Sequence, residues 1–335
     1  MKKICWLATG GTIASRPTTK GLAPGFTAQE MMHLISKEND YSDVEFTCKD
    51  IMKLDSTNLT PKDWQFMASK IEKLYDKFNA FIITHGTDTL TWTSCALSCM
   101  LENLTKPVII VGSQLTIEEE HTDAIANLNM AIILAQKNYS GVFVVCGGEV
   151  SKGLWAKKLY SEDLRSIQSV NKKAIANYDM HNLNKIVWHD YTTKIPTGKF
   201  KVHYELETRI AQIKMMPGLD SKILYTLADL GYKGIVIESY GAGGIPFIHN
   251  DSLKDKSIIQ AIEDLIAKNI VIVCTTQCVY DGVKMNRYEV GIKAYNSGVI
   301  PAGKLSTESA SVKLMVALGR KDNLAKIRKD FATIS

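Results

Sequence analysis

Short runs of consecutive apolar residues alternate along the chain with longer stretches in which apolar residues recur at helical spacing. The runs are four to six residues long and do not alternate with polar residues, which is typical of strands buried on both faces. We therefore predict an α/β fold with a mainly parallel sheet flanked by helices. The strands predicted in the first half of the chain are Ile4–Ala8, Val44–Cys48, Ala80–Thr84, Pro107–Val111 and Val142–Cys146.

The stretches between these runs predict the covering helices. One of them has a clear start, because the Thr60 hydroxyl can cap a helix and Pro61 suits the first helical position. The helices predicted in this half are about Thr27–Ser36, a helix from Thr60, about Leu90–Glu102 and about Asp123–Gln136.

The alternation fades between about Asn171 and Gln212, where the sequence is polar and can hold a hairpin. A second, shorter series of predicted strands and helices follows. We therefore predict a larger N-terminal α/β domain over 1–190, an interdomain connection over 191–212 and a smaller C-terminal α/β domain over 213–335. The elements predicted in the second series are the strands Ile213–Met216, Gly234–Glu238 and Ile270–Cys274, and the helices Ser221–Leu230, Ser252–Lys268, Thr307–Leu318 and Asn323–Phe331.

Composition and charge exclude several classes of protein. The 335 residues carry a net charge of only +5, and the one notable basic cluster, Lys326–Lys329, is typical of a solvated helix face, so we expect no nucleic-acid partner. No apolar run approaches the roughly 20 residues that cross a bilayer, so we expect no membrane association. The run Ile4–Ala8 is too short for an export signal, and the seven cysteines, mostly in apolar stretches, suit a reducing compartment. We therefore expect a cytoplasmic protein.

Candidate chemistry lies just after the predicted strands, since ligands of parallel sheets bind at the carboxyl ends of the strands. Thr9-Gly-Gly-Thr-Ile-Ala-Ser15 follows the first strand, and Thr84-His-Gly-Thr-Asp-Thr89 follows the third. Gly10 and Gly11 match neither nucleotide-binding fingerprint. Two threonines beside a carboxylate at one sheet edge instead indicate a hydrolytic site with a hydroxyl nucleophile.

A threonine hydroxyl needs a base to act as a nucleophile at neutral pH. The G-x-S-x-G marker of a Ser-His-Asp site is absent from the sequence. His85 could be a base or a structural hydrogen-bonding group, and we favour the structural role. A buried lysine is the other option, and the residues alone leave Lys152, Lys157 and Lys158 open.

Both threonine segments have counterparts in a known family. Thr9-Gly-Gly-Thr-Ile-Ala-Ser15 resembles the first signature of the bacterial-type L-asparaginases, and His85-Gly-Thr-Asp-Thr89 resembles the second. Because no export signal is expected, the chain resembles the cytoplasmic, type I branch of this family. Further motifs follow in the family's order along essentially the whole chain: Asp55-Ser56, Pro107-Val-Ile-Ile-Val-Gly-Ser-Gln114, Met216-Pro-Gly218, Tyr240-Gly-Ala-Gly-Gly-Ile-Pro246 and Thr275-Thr-Gln-Cys278.

The resemblance implies a hydrolase of L-asparagine catabolism, which converts L-asparagine to L-aspartate and ammonia through an acyl-enzyme. By position, Thr12 is implied as the nucleophile. Thr87, Asp88 and Lys158 are implied as a second group that assists proton transfer and water attack. A slip of one residue in the alignment would replace Lys158 by Lys157.

The resemblance also implies the substrate contacts and the assembly. Asp55 and Ser56, together with Thr87 and Asp88, are implied to hold the α-carboxylate and α-ammonium groups of the substrate. No metal and no organic cofactor is implied. The family forms homo-oligomers, so we expect a homotetramer built as a dimer of dimers.

One departure from the family concerns the loop after the first signature. Many members have a tyrosine there, and this chain has Leu22, which cannot hydrogen-bond to Thr12. The alternatives that remain are a glutaminase or a mixed enzyme, whose substrate differs by one methylene, and an inactive amino-acid sensor on the same scaffold. The amidase subunit of a tRNA-dependent amidotransferase resembles the family too, but it carries an additional N-terminal domain.

Overall fold

The computed structural model describes residues 1–37, 39–189, 191, 195–248 and 257–333. They pack as two compact units, Met1–Tyr204 and Glu205–Ser335. Each unit contains a parallel sheet flanked by helices, and the sheet of the first unit is the larger one. The predicted fold class is confirmed. The connection predicted over 191–212 includes the sequence boundary between the units, and its residues 192–194 lie outside the described residues.

The first unit is built around one large sheet. Within the described residues its order is β13-β12-β9-β8-β7-β5-β1-β4. The five strands from β8 to β4 run parallel, and β9, β12 and β13 extend the sheet by antiparallel pairing. The strands of this unit are β1 (Lys2–Gly10), β2 (Ser15–Thr18), β3 (Gly21–Pro24), β4 (Val44–Leu54), β5 (Ala80–Thr84), β6 (Leu101–Glu102), β7 (Pro107–Val111), β8 (Gly141–Cys146), β9 (Glu149–Lys152), β10 (Ala156–Lys158), β11 (Ile167–Ser169), β12 (Ala176–Asp179), β13 (Asn182–Trp188) and β14 (Lys201–Val202).

Helices cover both faces of this sheet, and their caps explain where they begin. Thr27 and Glu30 form a capping box at the first helix, and Thr60 and Asp63 form one at the second. All residues of β5 and β7 are buried, as expected for strands covered on both sides. The helices of the first unit are α1 (Ala28–Ile35), α2 (Pro61–Leu74), α3 (Thr87–Met100) and α4 (Ala124–Ala135), with 3₁₀ helices at Thr12–Ala14, Ser56–Asn58 and Tyr75–Lys77.

The second unit repeats the plan on a smaller scale. Its described strands form a parallel sheet in the order β15-β16-β17-β18, with a separate core centred on residues such as Ile235, Ile262 and Ile272. The elements are β15 (Ile210–Lys214), β16 (Gly234–Ser239), β17 (Val271–Thr276), β18 (Ile300–Pro301), α5 (Lys222–Asp229), α6 (Ile258–Ala267), α7 (Glu289–Asn296), α8 (Thr307–Gly319) and α9 (Leu324–Ala332).

Two differences between the structure and the sequence prediction concern the site and the large sheet. Helix α3 begins at Thr87 rather than near Leu90, so the motif after β5 lies in the first turn of a helix. Part of the polar stretch after Asn171 forms β12 and β13, of which β13 is the edge strand of the large sheet and β12 pairs between β13 and β9. Helix α6 begins at Ile258 with Ser257 as its cap, and the predicted helix start at Ser252 lies outside the described residues. No helix in the described part of the chain combines the length and apolarity needed to span a membrane.

Candidate active site

The two predicted threonine segments meet at the carboxyl edge of the large sheet. Strands β1 and β5 are parallel neighbours, with Ala8 paired to Thr84. Beyond them, the backbones of Gly11 and Gly86 touch, and a Cβ on Gly11 would collide with Gly86. Gly11 also has a φ of 81°, a conformation that favours glycine. This close approach brings Thr12 and Thr87, the residues that follow the two glycines, out of the sheet at one place.

Thr12 begins a short 3₁₀ helix and is half-buried. The two residues after it, Ile13 and Ala14, are fully buried and fix the helix to the core. The Ser15 hydroxyl donates to the Gly11 carbonyl over 2.9 Å, which closes the turn on the other side. The Thr12 hydroxyl is therefore held on a short, well-anchored turn.

Lys158 joins the two polar residues that open helix α3. Its Nζ lies 3.0 Å from Thr87 Oγ1 and 2.6 Å from Asp88 Oδ1. The Lys158 side chain is 20% exposed, whereas that of Asp88 is 55% exposed. Because successive residues of a strand point to opposite faces, Lys157 lies on the other side of β10. Among the candidate lysines, Lys158 thus has its amine placed at Thr87 and Asp88, as the family resemblance implied.

Asp55 and Ser56 lie beyond the end of β4, next to β1. Ser56 is buried, and its Oγ would be 2.6 Å from a Cβ on Gly86, so this hydroxyl faces the same glycine that faces Gly11. The Asp55 Oδ1 accepts hydrogen bonds from the backbone N–H and the hydroxyl of Thr57, at 2.9 and 2.8 Å. Asp55 thus caps the 3₁₀ helix that carries Ser56.

His85 is buried inside a chain of neutral hydrogen bonds. Its Nδ1 is 2.7 Å from the Gly86 carbonyl, which can only accept, so Nδ1 carries the proton. Its Nε2 then accepts from Thr93 Oγ1 over 2.8 Å, and Trp64 Nε1 donates to the same hydroxyl over 3.1 Å. Burial lowers the pKa of His85 to about 4. This arrangement matches the structural role favoured for His85 from the sequence.

Gln114 is a polar residue at the same sheet edge for which the sequence suggested no role. It follows β7, the next strand along from β5, and its Oε1 is 3.1 Å from Thr87 Oγ1. Its Nε2 donates to the Ser161 carbonyl over 2.6 Å. The strand-end rule that picked out Thr12 and Thr87 could have found Gln114 as well.

A buried carboxylate holds the loop that carries Gln114. Asp123 accepts from the backbone N–H groups of Gln114 and Leu115 at 3.1–3.2 Å, and from Asn127 Nδ2 at 3.0 Å. Burial raises the pKa of Asp123, and these donors oppose the shift. The Tyr178 hydroxyl donates to Asn127 Oδ1 over 2.6 Å and orients that amide.

The segment after the first threonine forms a β-hairpin of β2 and β3. Leu22 pairs with Pro17 and is 54% exposed. The base of the hairpin is fixed, because the Arg16 guanidinium lies 3.8 Å from the centre of the Phe26 ring. The Ala14 carbonyl also accepts from the N–H groups of the two residues after β3.

Comparison with known proteins identifies the family. The sequence model described as "Asparaginase, N-terminal" matches residues 3–190, and the one described as "Glutaminase/Asparaginase C-terminal domain" matches residues 209–331. The chain belongs to the asparaginase family. The resemblance found from the motifs is thus confirmed, and the chain is an asparaginase-type amidohydrolase.

Individual relatives of this asparaginase-family chain cover nearly all of it. An L-asparaginase from Thermococcus kodakarensis is 36% identical over 98% of this chain and 96% of its own length. A solved structure of the thermostable L-asparaginase from that organism has a TM-score of 0.88, with 98% of this chain and 96% of that chain covered. L-asparaginase I from Vibrio cholerae has a TM-score of 0.86 at 26% identity, with the same coverage.

The family also includes proteins with another named role. One subunit of the glutamyl-tRNA(Gln) amidotransferase of Pyrococcus abyssi is 33% identical over 99% of this chain and 76% of its own length. Membership of the family therefore leaves the choice of amide substrate to the site itself.

Proposed function

We propose that this protein hydrolyses the side-chain amide of L-asparagine to L-aspartate and ammonia, with Thr12 as the nucleophile. The observation that carries the proposal is the contact of Lys158 Nζ with Thr87 and Asp88, at the sheet edge where Thr12 also emerges. A hydroxyl nucleophile next to a hydroxyl–carboxylate–lysine group is suited to acyl transfer.

In the first half of the proposed reaction, Thr12 Oγ bonds to the amide carbon and its proton passes to the leaving nitrogen. The C–N bond then breaks, ammonia leaves, and an ester joins the aspartyl group to Thr12. A backbone N–H of the turn that carries Thr12 is suited to stabilise the oxyanion that forms on the way, but not the N–H of Gly11, which already donates to the Leu54 carbonyl over 3.1 Å. Such a donor contributes about 3–4 kcal/mol in hydrolases.

In the second half, water attacks the ester, the bond to Thr12 breaks and its hydroxyl regains a proton. Thr87 and Lys158 hold this water and assist its proton transfer. The Asp88 carboxylate is suited to the substrate ammonium, because Lys158 engages only its Oδ1 in the hydrogen bonds described above. Ser56, and Asp55 beside it, are proposed to bind the remaining polar groups of the substrate backbone.

We further propose that the protein works in the cytoplasm as a homotetramer, a dimer of dimers. The cysteines support a reducing compartment, since Cys5, Cys146 and Cys274 are buried thiols. Burial raises the pKa of Cys5 and Cys274 to about 12, so these thiols are unreactive.

Ammonia release from purified protein tests the proposal. L-asparagine, L-glutamine and buffer alone are compared at equal concentration, and we expect release from L-asparagine above the other two. Faster release from L-glutamine would make the protein a glutaminase. Binding of L-asparagine by calorimetry with no ammonia release would instead identify an amino-acid sensor.

A further inference from the structure

We infer that Gln114 is a positioning residue that fixes the direction of the Thr87 hydroxyl and braces the segment after Lys158. The expected effect on catalysis rests on the proposed function, whereas the contacts of Gln114 rest on the geometry alone.

The hydrogen-bond partners decide which way the Gln114 amide faces. The Ser161 carbonyl, 2.6 Å from Nε2, can only accept, so the NH₂ group must be on that side. The carbonyl oxygen Oε1 therefore faces Thr87 Oγ1 at 3.1 Å. The backbone of Gln114 cannot turn to change this, because its N–H is bound to the buried Asp123 carboxylate.

The same partners decide where the Thr87 proton lies. Oε1 of Gln114 has no proton, so the Thr87 hydroxyl must be the donor in that contact. Lys158 Nζ is a donor too, and it approaches Thr87 Oγ1 from its own side at 3.0 Å. A hydroxyl has one proton and two lone pairs, so one lone pair of Thr87 remains for the group that reacts.

The consequence is a hydroxyl that cannot rotate freely. Without Gln114, the Thr87 proton could turn towards Asp88 or towards the bound substrate, and the lone pair would no longer face the attacking water. Gln114 also ties the loop after β7 to the segment that follows β10. Lys158 is the last residue of β10 and directly precedes that segment. It acts through Thr87 and Lys158 and has no contact of its own with the reacting atoms in this proposal.

Gln114→Leu removes the acceptor while keeping a similar side-chain volume. We expect kcat for L-asparagine to fall by about 10-fold or more, as for the loss of one oriented hydrogen bond, with KM within about threefold of the wild type. Gln136→Leu is the matched control, since Gln136 is an exposed glutamine at the end of α4. Equal kcat in the wild type and both variants would overturn the inference.

Gln114→Glu provides a second readout that does not depend on turnover. The glutamate loses the donor to the Ser161 carbonyl but keeps an oxygen that accepts from the Thr87 hydroxyl. A carboxylate in that contact lies at most about 6 Å from Lys158 Nζ, because both groups bind the same hydroxyl oxygen, and a negative charge at that range stabilises the ammonium. We expect modification of Lys158 by an amine-reactive reagent, followed by peptide mass spectrometry, to require more alkaline pH than in the wild type or in Gln136→Glu.

The two measurements separate the inference from the proposed function. An unshifted Lys158 modification profile in Gln114→Glu would overturn the positioning contact even if the enzyme is active. Absence of ammonia release by the wild type would overturn the proposed function. In that case the modification profile still decides whether Gln114 acts on the Thr87–Lys158 pair.

Discussion

Acidification should destabilise the first unit through a single buried imidazole, His85. Burial lowers its pKa from 6.5 to about 4 in the folded protein. Because the folded-state pKa is depressed, the unfolded chain binds more protons between these two pH values. The free energy of unfolding therefore has its full His85 contribution above pH 6.5 and loses it as the pH falls towards 4. The complete loss amounts to about 3 kcal/mol, of which about 2 kcal/mol has gone by about pH 5.

Equilibrium urea unfolding of the wild type and of His85→Asn measures this contribution. The asparagine amide can still donate to the Gly86 carbonyl, but it does not titrate. The carboxylates are the same in both proteins, so the difference between their unfolding free energies isolates His85. We expect this difference to be constant above about pH 7 and to shrink by about 2 kcal/mol by about pH 5. A difference that stays constant to pH 5 would show that the imidazole titrates alike in the folded and unfolded chains.

Three further predictions concern the site and the assembly. Lys158→Met should lower kcat by more than about 100-fold, because Lys158 contacts Thr87 and Asp88, whereas Lys157→Met should stay within about threefold, because Lys157 lies on the opposite face of β10. Steady-state kinetics that rank the two variants the other way would move the role to Lys157. Leu22→Tyr should keep or raise kcat, since the side chain is exposed on a hairpin and a tyrosine fits there, and a loss as large as that of Thr12→Ala would contradict this. Light scattering over a dilution series should show a tetramer whose activity falls as it dissociates, and a fully active monomer would refute the proposed assembly.

The sequence predicted the buried parallel strands best, for a physical reason. The bounds of β5 and β7 agree with the apolar runs residue for residue, because strands covered on both faces tolerate few polar residues. Strands β12 and β13, at the antiparallel end of the sheet, have a mixed composition and alternate between more and less exposed residues, so no run of apolar residues marked them. The start of α3 was missed by one turn, because its first residues are threonines and an aspartate rather than apolar residues.

For the site too, the sequence predicted some features and missed others. Strand-end position and family motifs were enough to choose Thr12, Thr87, Asp88 and Lys158 as candidates, and the structure joins the last three by hydrogen bonds. The role proposed for Gln114 depends on its amide oxygen facing Thr87 and its amide nitrogen facing the Ser161 carbonyl. That information exists only once the loops after β7 and β10 are folded against each other.

The central claim is that the Thr12 hydroxyl is the nucleophile that splits L-asparagine. The most direct measurement is the rate of ammonia and L-aspartate formation by the wild type and by Thr12→Ala, purified side by side and shown by circular dichroism to have the same fold. We expect equal amounts of the two products from the wild type, and a loss of about four orders of magnitude or more in kcat for the variant. A Thr12→Ala protein that turns over L-asparagine at a rate close to that of the wild type would contradict the account.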